Sequence, residues 1–399
     1  MEKLFTRQSV LLRNTGMTFV REIMDRIDWE APLISIRGPR GIGKTTMMLQ
    51  YIKKTYGSGN TTVLYCSLDS VYFANKNILD LANSFYSNGG RHLFLDEVHK
   101  YPTWSQEIKE IYDTYPDMKV VISGSSLLNI LTGDADLSRR CMPYEMQGLS
   151  FREFLKLYKK IDIPVWKLSD ILNKPAALCD SVLDQCQPLP LFREYLKYGY
   201  YPFYLKNKSN YYQLIEQVIS YVIETELPQI YNVEPALVRK IKALLDNVCN
   251  SIPFEVDATK LASVIGIHRT TVVNYLYMLD KAKVINMLFA DTKSIKKLQK
   301  PDKIYTENPN ILYALAGSDA NIGTIRETFV VNQLTYNNTI EYGKEQGDFK
   351  IDGKYTLEVG GKKKDYSQIA DLPDSYVLAD DIETPFGHKI PLWAIGFTY

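Results

Sequence analysis

Leu33-Ile34-Ser35-Ile36-Arg37-Gly38-Pro39-Arg40-Gly41-Ile42-Gly43-Lys44-Thr45-Thr46 decides how the rest of the chain is read. A short apolar run passes directly into a glycine-rich turn and then into Lys-Thr-Thr at the head of an apolar helix, the strand–loop–helix pattern of a P-loop. Gly38, Gly41 and Gly43 let the backbone curl so that its N–H groups face an anion, and a helix starting near Lys44 adds its positive end. The expected phosphate cradle comprises Gly38, Pro39, Arg40, Gly41, Ile42, Gly43, Lys44, Thr45 and Thr46. Lys44 is expected to reach β- and γ-phosphates, and Thr45 to ligate Mg²⁺.

Working outward, Leu93-Phe94-Leu95-Asp96-Glu97 is an apolar strand ending in a carboxylate pair. Downstream of a P-loop, Asp96 is expected to hold hydrated Mg²⁺ and Glu97 to polarise the attacking water. The strand Lys119 to Ile122 is expected to lie between the P-loop strand and the acidic strand. Ser123 at its end, or Ser125 beyond, is a candidate sensor of the γ-phosphate or the water; a plain turn reads equally well. Further strands are expected at Thr62 to Cys66 and at Tyr144 to Met146, with helices at Thr45 to Lys54, Ile78 to Tyr86 and Trp104 to Tyr115. This alternation predicts a parallel sheet with helices on both faces over residues 1–150.

The 399 residues, 45% of them hydrophobic, carry 47 Lys+Arg against 46 Asp+Glu. Such a chain buries cores in two or three domains, which excludes disorder and a small disulfide scaffold. A net charge of +1 gives no global pull toward nucleic acid or membrane. No stretch approaches the apolar length needed to span a bilayer, and the five scattered cysteines show neither zinc nor redox spacing, so a soluble cytoplasmic protein is expected. His92, His99, His268 and His388 show no zinc spacing either. Dense tyrosines, as in Tyr195 to Tyr204, read as packing.

Residues 38–46, Leu95-Asp96-Glu97-Val98-His99, Ser123-Gly124-Ser125-Ser126, Leu137-Ser138-Arg139-Arg140 and Leu149-Ser150-Phe151-Arg152-Glu153-Phe154 together resemble the bacterial and archaeal AAA-type ATPases that carry a C-terminal restriction-endonuclease-like domain. The likeness departs from that family's frequent Gly-Arg by having Arg139. It implies ATP and Mg²⁺ as ligands and a P-loop ATPase core at 1–150. A helical lid at 151–235, a winged helix at 236–300 and a degenerate nuclease-like α/β domain at 301–399 then follow. It also puts Arg140, ahead of Arg139, forward as a finger reaching a neighbouring subunit's nucleotide in a homo-oligomer, the alternative being a simple surface pair of arginines.

Asp257 to Ile267 followed by His268 to Leu276 reads as two helices joined at a glycine turn, with a wing at Val284 to Ala290. His268, Arg269, Thr271, Asn274 and Tyr275 would remain outward, and Arg269, Asn274 and Lys296 of a lysine-rich stretch are the candidate DNA contacts. The competing role for this element is a rigid spacer or a subunit contact. At the C-terminus, a nuclease of the restriction type needs an Asp, then a Glu and a Lys on the next strand. Glu327, Asp348 and Glu358 fit, but Gly360 stands where the lysine is expected, so Lys362 is the candidate, reached through a bend at Gly360-Gly361.

The leading expectation is Mg²⁺-dependent ATP hydrolysis that moves the attached domains. The alternatives are a slow-turnover, nucleotide-gated switch or adaptor for a protein partner, and an ATP-regulated protein that binds or cleaves DNA.

Overall fold

The computed structural model describes residues 1–399 apart from 129–136, 138, 251–256, 291–299, 318–319 and 345. The chain divides into two compact units, Met1–Gly148 and Leu149–Tyr399.

The first unit is organised by five strands: β1 (Leu33–Arg37), β2 (Val63–Ser67), β3 (His92–Asp96), β4 (Lys119–Gly124) and β5 (Met142–Glu145). All pairings are parallel, in the order β2-β3-β4-β1-β5. β4 therefore lies between the P-loop strand and the acidic strand, as its sequence position predicts. Four of the five strands are almost continuously buried, which is why they read as apolar runs without alternation.

Helices α1 (Glu2–Asn14), α2 (Lys44–Thr55), α3 (Ile78–Ser87) and α4 (Trp104–Thr114) cover the sheet. Trp104, Ile108 and Ile111 of α4 share a core with Leu33, Leu93, Leu95 and Val120. Ile34 and Ile36, on the other face of β1, are fully buried as well, so both faces are covered. Each such aliphatic side chain contributes about 1.5–3 kcal/mol on burial. The start of α3 is fixed by polar groups: the Asn77 side chain accepts from the Asp80 N–H at 2.6 Å, and the Glu107 carboxylate of α4 accepts from Ile78 N–H at 2.7 Å. Helix α1, which carries no motif, lies along β2. Its Gln8 donates to the Val63 carbonyl at 3.2 Å and accepts from Tyr65 N–H at 2.6 Å.

In the second unit, helices Pro188–Tyr198 and Tyr211–Tyr221 are followed by Pro235–Asn250, Ala258–Ile265 and Arg269–Lys281. The last two are joined at Gly266, whose φ of +68° suits a helix C-terminus. Lys240 donates to the carbonyls of Ile265 and Gly266 at 2.7 and 3.0 Å, a cation at the negative end of that helix. An antiparallel pair, β6 (Ile285–Leu288) and β7 (Lys303–Thr306), comes next. After the helix Ile322–Leu334, a mixed sheet β12-β11-β10-β9-β8 is built from β8 (Ile340–Tyr342), β9 (Phe349–Ile351), β10 (Tyr355–Gly360), β11 (Ser375–Ala379) and β12 (Lys389–Pro391). Asp352 and Gly353, between β9 and β10, both have positive φ, as a tight hairpin turn requires.

The segments expected as a lid at 151–235 and a C-terminal domain at 301–399 share one core. Phe151 packs edge-on to Phe397 and Phe192 to Phe329, with centroids 5.8 and 4.8 Å apart. Ser150 and Arg152 both donate to the Tyr399 main-chain oxygen, at 2.7 and 3.0 Å. Residues 249 positions apart are thereby tied together, a constraint that neither periodicity nor composition discloses. Among the described residues no helix is long and apolar enough to cross a membrane.

Candidate functional site

The loop from Gly38 to Gly43 bridges β1 and α2. Gly41 and Gly43 have φ of +84° and +99°, a region that costs side-chain-bearing residues energy. Gly38 is required by space: a Cβ there would lie 2.1 Å from the Met146 carbonyl oxygen. Ile42 is buried as the loop's apolar anchor. Its carbonyl accepts from Arg21, a buried guanidinium that also donates to the carbonyls of Gln147 and Gly148 at 2.7 and 2.9 Å. Sequence reading passed over Arg21, which lies outside every motif. Lys44 donates from Nζ to the carbonyls of Gly38 and Pro39 at 2.7 and 2.8 Å, so its ammonium lies over the loop. Thr45 faces β3, whereas Thr46 is exposed.

Asp96, at the end of β3, is buried and accepts four hydrogen bonds. Thr45 Oγ1 donates at 2.6 Å and the Tyr65 phenol at 2.7 Å to Oδ2; Ser123 Oγ and the Glu97 N–H, the latter at 3.1 Å, serve Oδ1. Ser123 also accepts from the Glu97 N–H at 3.3 Å. Tyr65 was not foreseen, because a tyrosine in a strand reads as core. Burial and the neighbouring Asp96 push its phenol well above the ordinary range, so it stays a donor. The pairing of an alcohol and a carboxylate at the mouth of the loop offers hard oxygen donors, which fit Mg²⁺.

Glu97 follows with φ +55°, a conformation uncommon outside glycine, which turns the chain sharply after β3. The turn Val98–Lys100 then brings His99 back, with Nε2 3.4 Å from Glu97 Oε2. Arg140 is engaged by Asp113 of α4, at 3.1 Å from Nε and 3.3 Å from the second guanidinium nitrogen, while Arg139 is exposed. Ser138 lies outside the described residues.

In the second unit, Glu327, Asp348 and Glu358 come together with Lys303, Tyr305 and Lys364. Tyr305 donates to Glu327 Oε2 at 2.6 Å, with Lys303 Nζ 3.6 Å from the same oxygen. Asp348 Oδ2 accepts from Val359 N–H at 2.8 Å. Lys362, the lysine expected at this site, is exposed, and Lys364 is the one that pairs with Glu358 Oε1. Gly360 makes this substitution sterically feasible, since a Cβ at 360 would sit 2.7 Å from both Cβ and Cγ of Lys364. The absent side chain leaves room for the Lys364 stem. Glu358 Oε2 is buried without a hydrogen-bond partner, and burial pushes the carboxyl above its usual range while Lys364 pulls it back. Gln368 is exposed. Among the described residues no three His, Cys, Asp or Glu side chains converge as a metal site.

On the helix Arg269–Lys281, Arg269 and Asn274 are exposed, as is His268 just before it. Tyr275 departs from the expectation and is buried with Val272, Leu276 and Leu279. Lys296 lies outside the described residues.

Residues 30–155 match the family described as AAA domain, and residues 189–322 match a domain of unknown function. None of the curated proteins matches the chain. Among solved structures, the chain is similar to AMPPCP-bound DnaA from Aquifex aeolicus at 16% identity, over 69% of this chain and 86% of that one, with a TM-score of 0.28. A katanin structure concerning self-assembly is 13% identical over 38% of this chain and 63% of that one, with a TM-score of 0.26. PCH-2 from C. elegans is 13% identical over 40% of this chain and 44% of that one, with a TM-score of 0.24. The matched AAA domain, on a parallel sheet covered by helices, accords with a P-loop NTPase fold for the first unit.

Proposed function

We propose that the first unit binds ATP with Mg²⁺ and hydrolyses it. The observation that carries this reading is the 2.6 Å hydrogen bond from Thr45 to Asp96, which joins the head of α2 to the end of β3 beside the glycine-rich loop. Thr45 and Asp96 would hold Mg²⁺, which when bound neutralises charge on the phosphates. Lys44 supplies the ammonium for the β- and γ-phosphates. Glu97 orients a water and takes its proton, and Ser123 ties Glu97 to Asp96 from the end of β4. Arg140 would serve a neighbouring copy's nucleotide only after leaving Asp113, which links that role to homo-oligomer formation.

A second reading concerns the second unit. The two helices joined at Gly266 and followed by the β6–β7 pair form a winged helix, with Arg269 and Asn274 exposed for DNA contact. In this reading the C-terminal sheet, where Glu358 pairs with Lys364, takes part in binding DNA.

Steady-state ATP hydrolysis with Mg²⁺, with and without duplex and single-stranded DNA and with Lys44→Ala as the blank, tests both readings. Turnover about tenfold or more above the blank is expected, since positioning and electrostatic stabilisation carry phosphoryl transfer. Stimulation by DNA that is lost in Arg269→Ala supports the second reading. Tight binding without turnover sinks the hydrolase assignment in favour of a nucleotide-gated adaptor for a protein partner.

A further inference from the structure

His99 is used by no step above, yet its imidazole is one of the least exposed polar groups of the first unit, with 2% of the side chain accessible. Its position follows from two local features. The left-handed Glu97 backbone starts the turn Val98–Lys100, closed by Lys100 N–H donating to the Glu97 carbonyl at 3.0 Å, and this folds His99 back toward its own predecessor. Gly124, the last residue of β4, then gives the ring its seat, for a Cβ there would lie 3.3 Å from His99 Nδ1. The end of β4 thus touches both halves of the acidic pair, Asp96 through Ser123 and Glu97 through the ring resting on Gly124.

Burial, with Lys100, Lys44 and Arg40 nearby, holds His99 at about 4, so the ring is neutral near pH 7 and carries one N–H. The Nε2–Oε2 separation of 3.4 Å exceeds the 2.7–3.2 Å range of a formed hydrogen bond. Hydrogen bonds at catalytic groups commonly tighten only when substrate binds.

We propose that His99 is a positioning residue for Glu97, its Nε2–H directing the carboxylate toward the attacking water when nucleotide is bound. The inference rests on the ATPase reading and goes beyond it by assigning the aim of Glu97 to a side chain outside the acidic pair. His99 touches neither nucleotide nor water in this role. Its loss therefore separates rate from affinity: binding depends on the loop and Lys44, rate on the orientation of Glu97.

The test measures kcat, KM for ATP with Mg²⁺, equilibrium binding of a fluorescent ATP analogue, and thermal melting for His99→Ala, His99→Gln and the unaltered protein. His99→Ala is expected to lower kcat about tenfold, the lower end of losses when an orienting partner is removed, with analogue Kd changed less than twofold. His99→Gln, which retains an amide N–H donor, is expected to regain most of the lost rate. An unchanged kcat in His99→Ala overturns the proposal, as does equal loss of rate and affinity in both variants, the mark of a packing role. Where His99→Ala melts too early to assay, His99→Gln and His99→Asn decide by the same split between rate and affinity. Turnover of the unaltered protein no higher than the Lys44→Ala blank overturns the ATPase reading itself, and this inference with it.

Discussion

Asp96 and Glu358 are equally buried, at 2% exposure each, one at the end of β3 in the first unit and one within β10 in the second. They are kept there by different means. Asp96 receives four neutral donors, from two alcohols, a phenol and a backbone amide. Glu358 receives a single ammonium at one oxygen, and its other oxygen has none. Hydroxyl and amide donors satisfy a carboxylate without cancelling its charge, so Asp96 stays able to attract a further cation. Lys364 offsets the charge of Glu358 from one side and leaves the second oxygen buried without a partner. Depth of burial therefore says little about what a carboxylate is for; the charge of its donors says more.

The sharpest way to break this comparison is a pair of isosteric changes. Asp96→Asn is expected to lower ATP turnover by about 10²–10³-fold, the scale of losing one preorganised electrostatic contact, with folding retained. Glu358→Gln is expected to leave turnover unchanged. Steady-state hydrolysis with denaturation curves checks both, and equal sensitivity of turnover to the two changes would erase the distinction.

The next effect is on stability. Lys364→Met leaves Glu358 buried without its ammonium and is expected to cost about 2 kcal/mol, in the range for a hydrogen bond to a charged group. Adding Glu358→Gln in the same chain should recover most of that loss. The pH dependence has a definite sign. Glu358 is raised from its ordinary 4.5, first by burial, so the folded form holds the proton more tightly than the unfolded form. Its contribution to stability is present below the unfolded value and is lost as pH rises through the raised folded one. Lys364→Met raises the folded value further, so its denaturation midpoint should fall more steeply with rising pH than that of the unaltered protein.

The smallest change is Tyr65→Phe, which removes one of four donors to Asp96. About 1 kcal/mol of stability is expected to go with it, together with a few-fold loss of turnover, read from denaturation midpoints and kcat. A loss as large as that of Asp96→Asn would show that the four donors act as one inseparable unit.

The first unit was legible because its signals are local. Strands buried on both faces read as apolar runs bounded by Gly and polar residues, and Gly41 and Gly43 of the loop are demanded by their backbone angles. The five strands, the intervening place of β4 and the proximity of Thr45 and Asp96 all followed from that. What escaped depends on distant partners. Tyr65 differs from any core tyrosine only in where its phenol ends, and Arg21 only in the three carbonyls it reaches. Lys362 was expected to be brought in by a bend at Gly360-Gly361; the chain does turn after β10 ends at Gly360, but the residue that returns to Glu358 is Lys364, while Lys362 faces solvent. Nothing local announces, likewise, that Phe151 and Phe397 meet across nearly the whole second unit.

Gln8 carries a consequence of another kind. β2 is the outermost strand of its sheet, and the two hydrogen bonds from the Gln8 amide copy, with a side chain, what a sixth strand would otherwise provide. Unsatisfied backbone at a sheet margin is a template for another chain. Helix α1 in this sense occupies the margin at which the strand of another chain would otherwise pair.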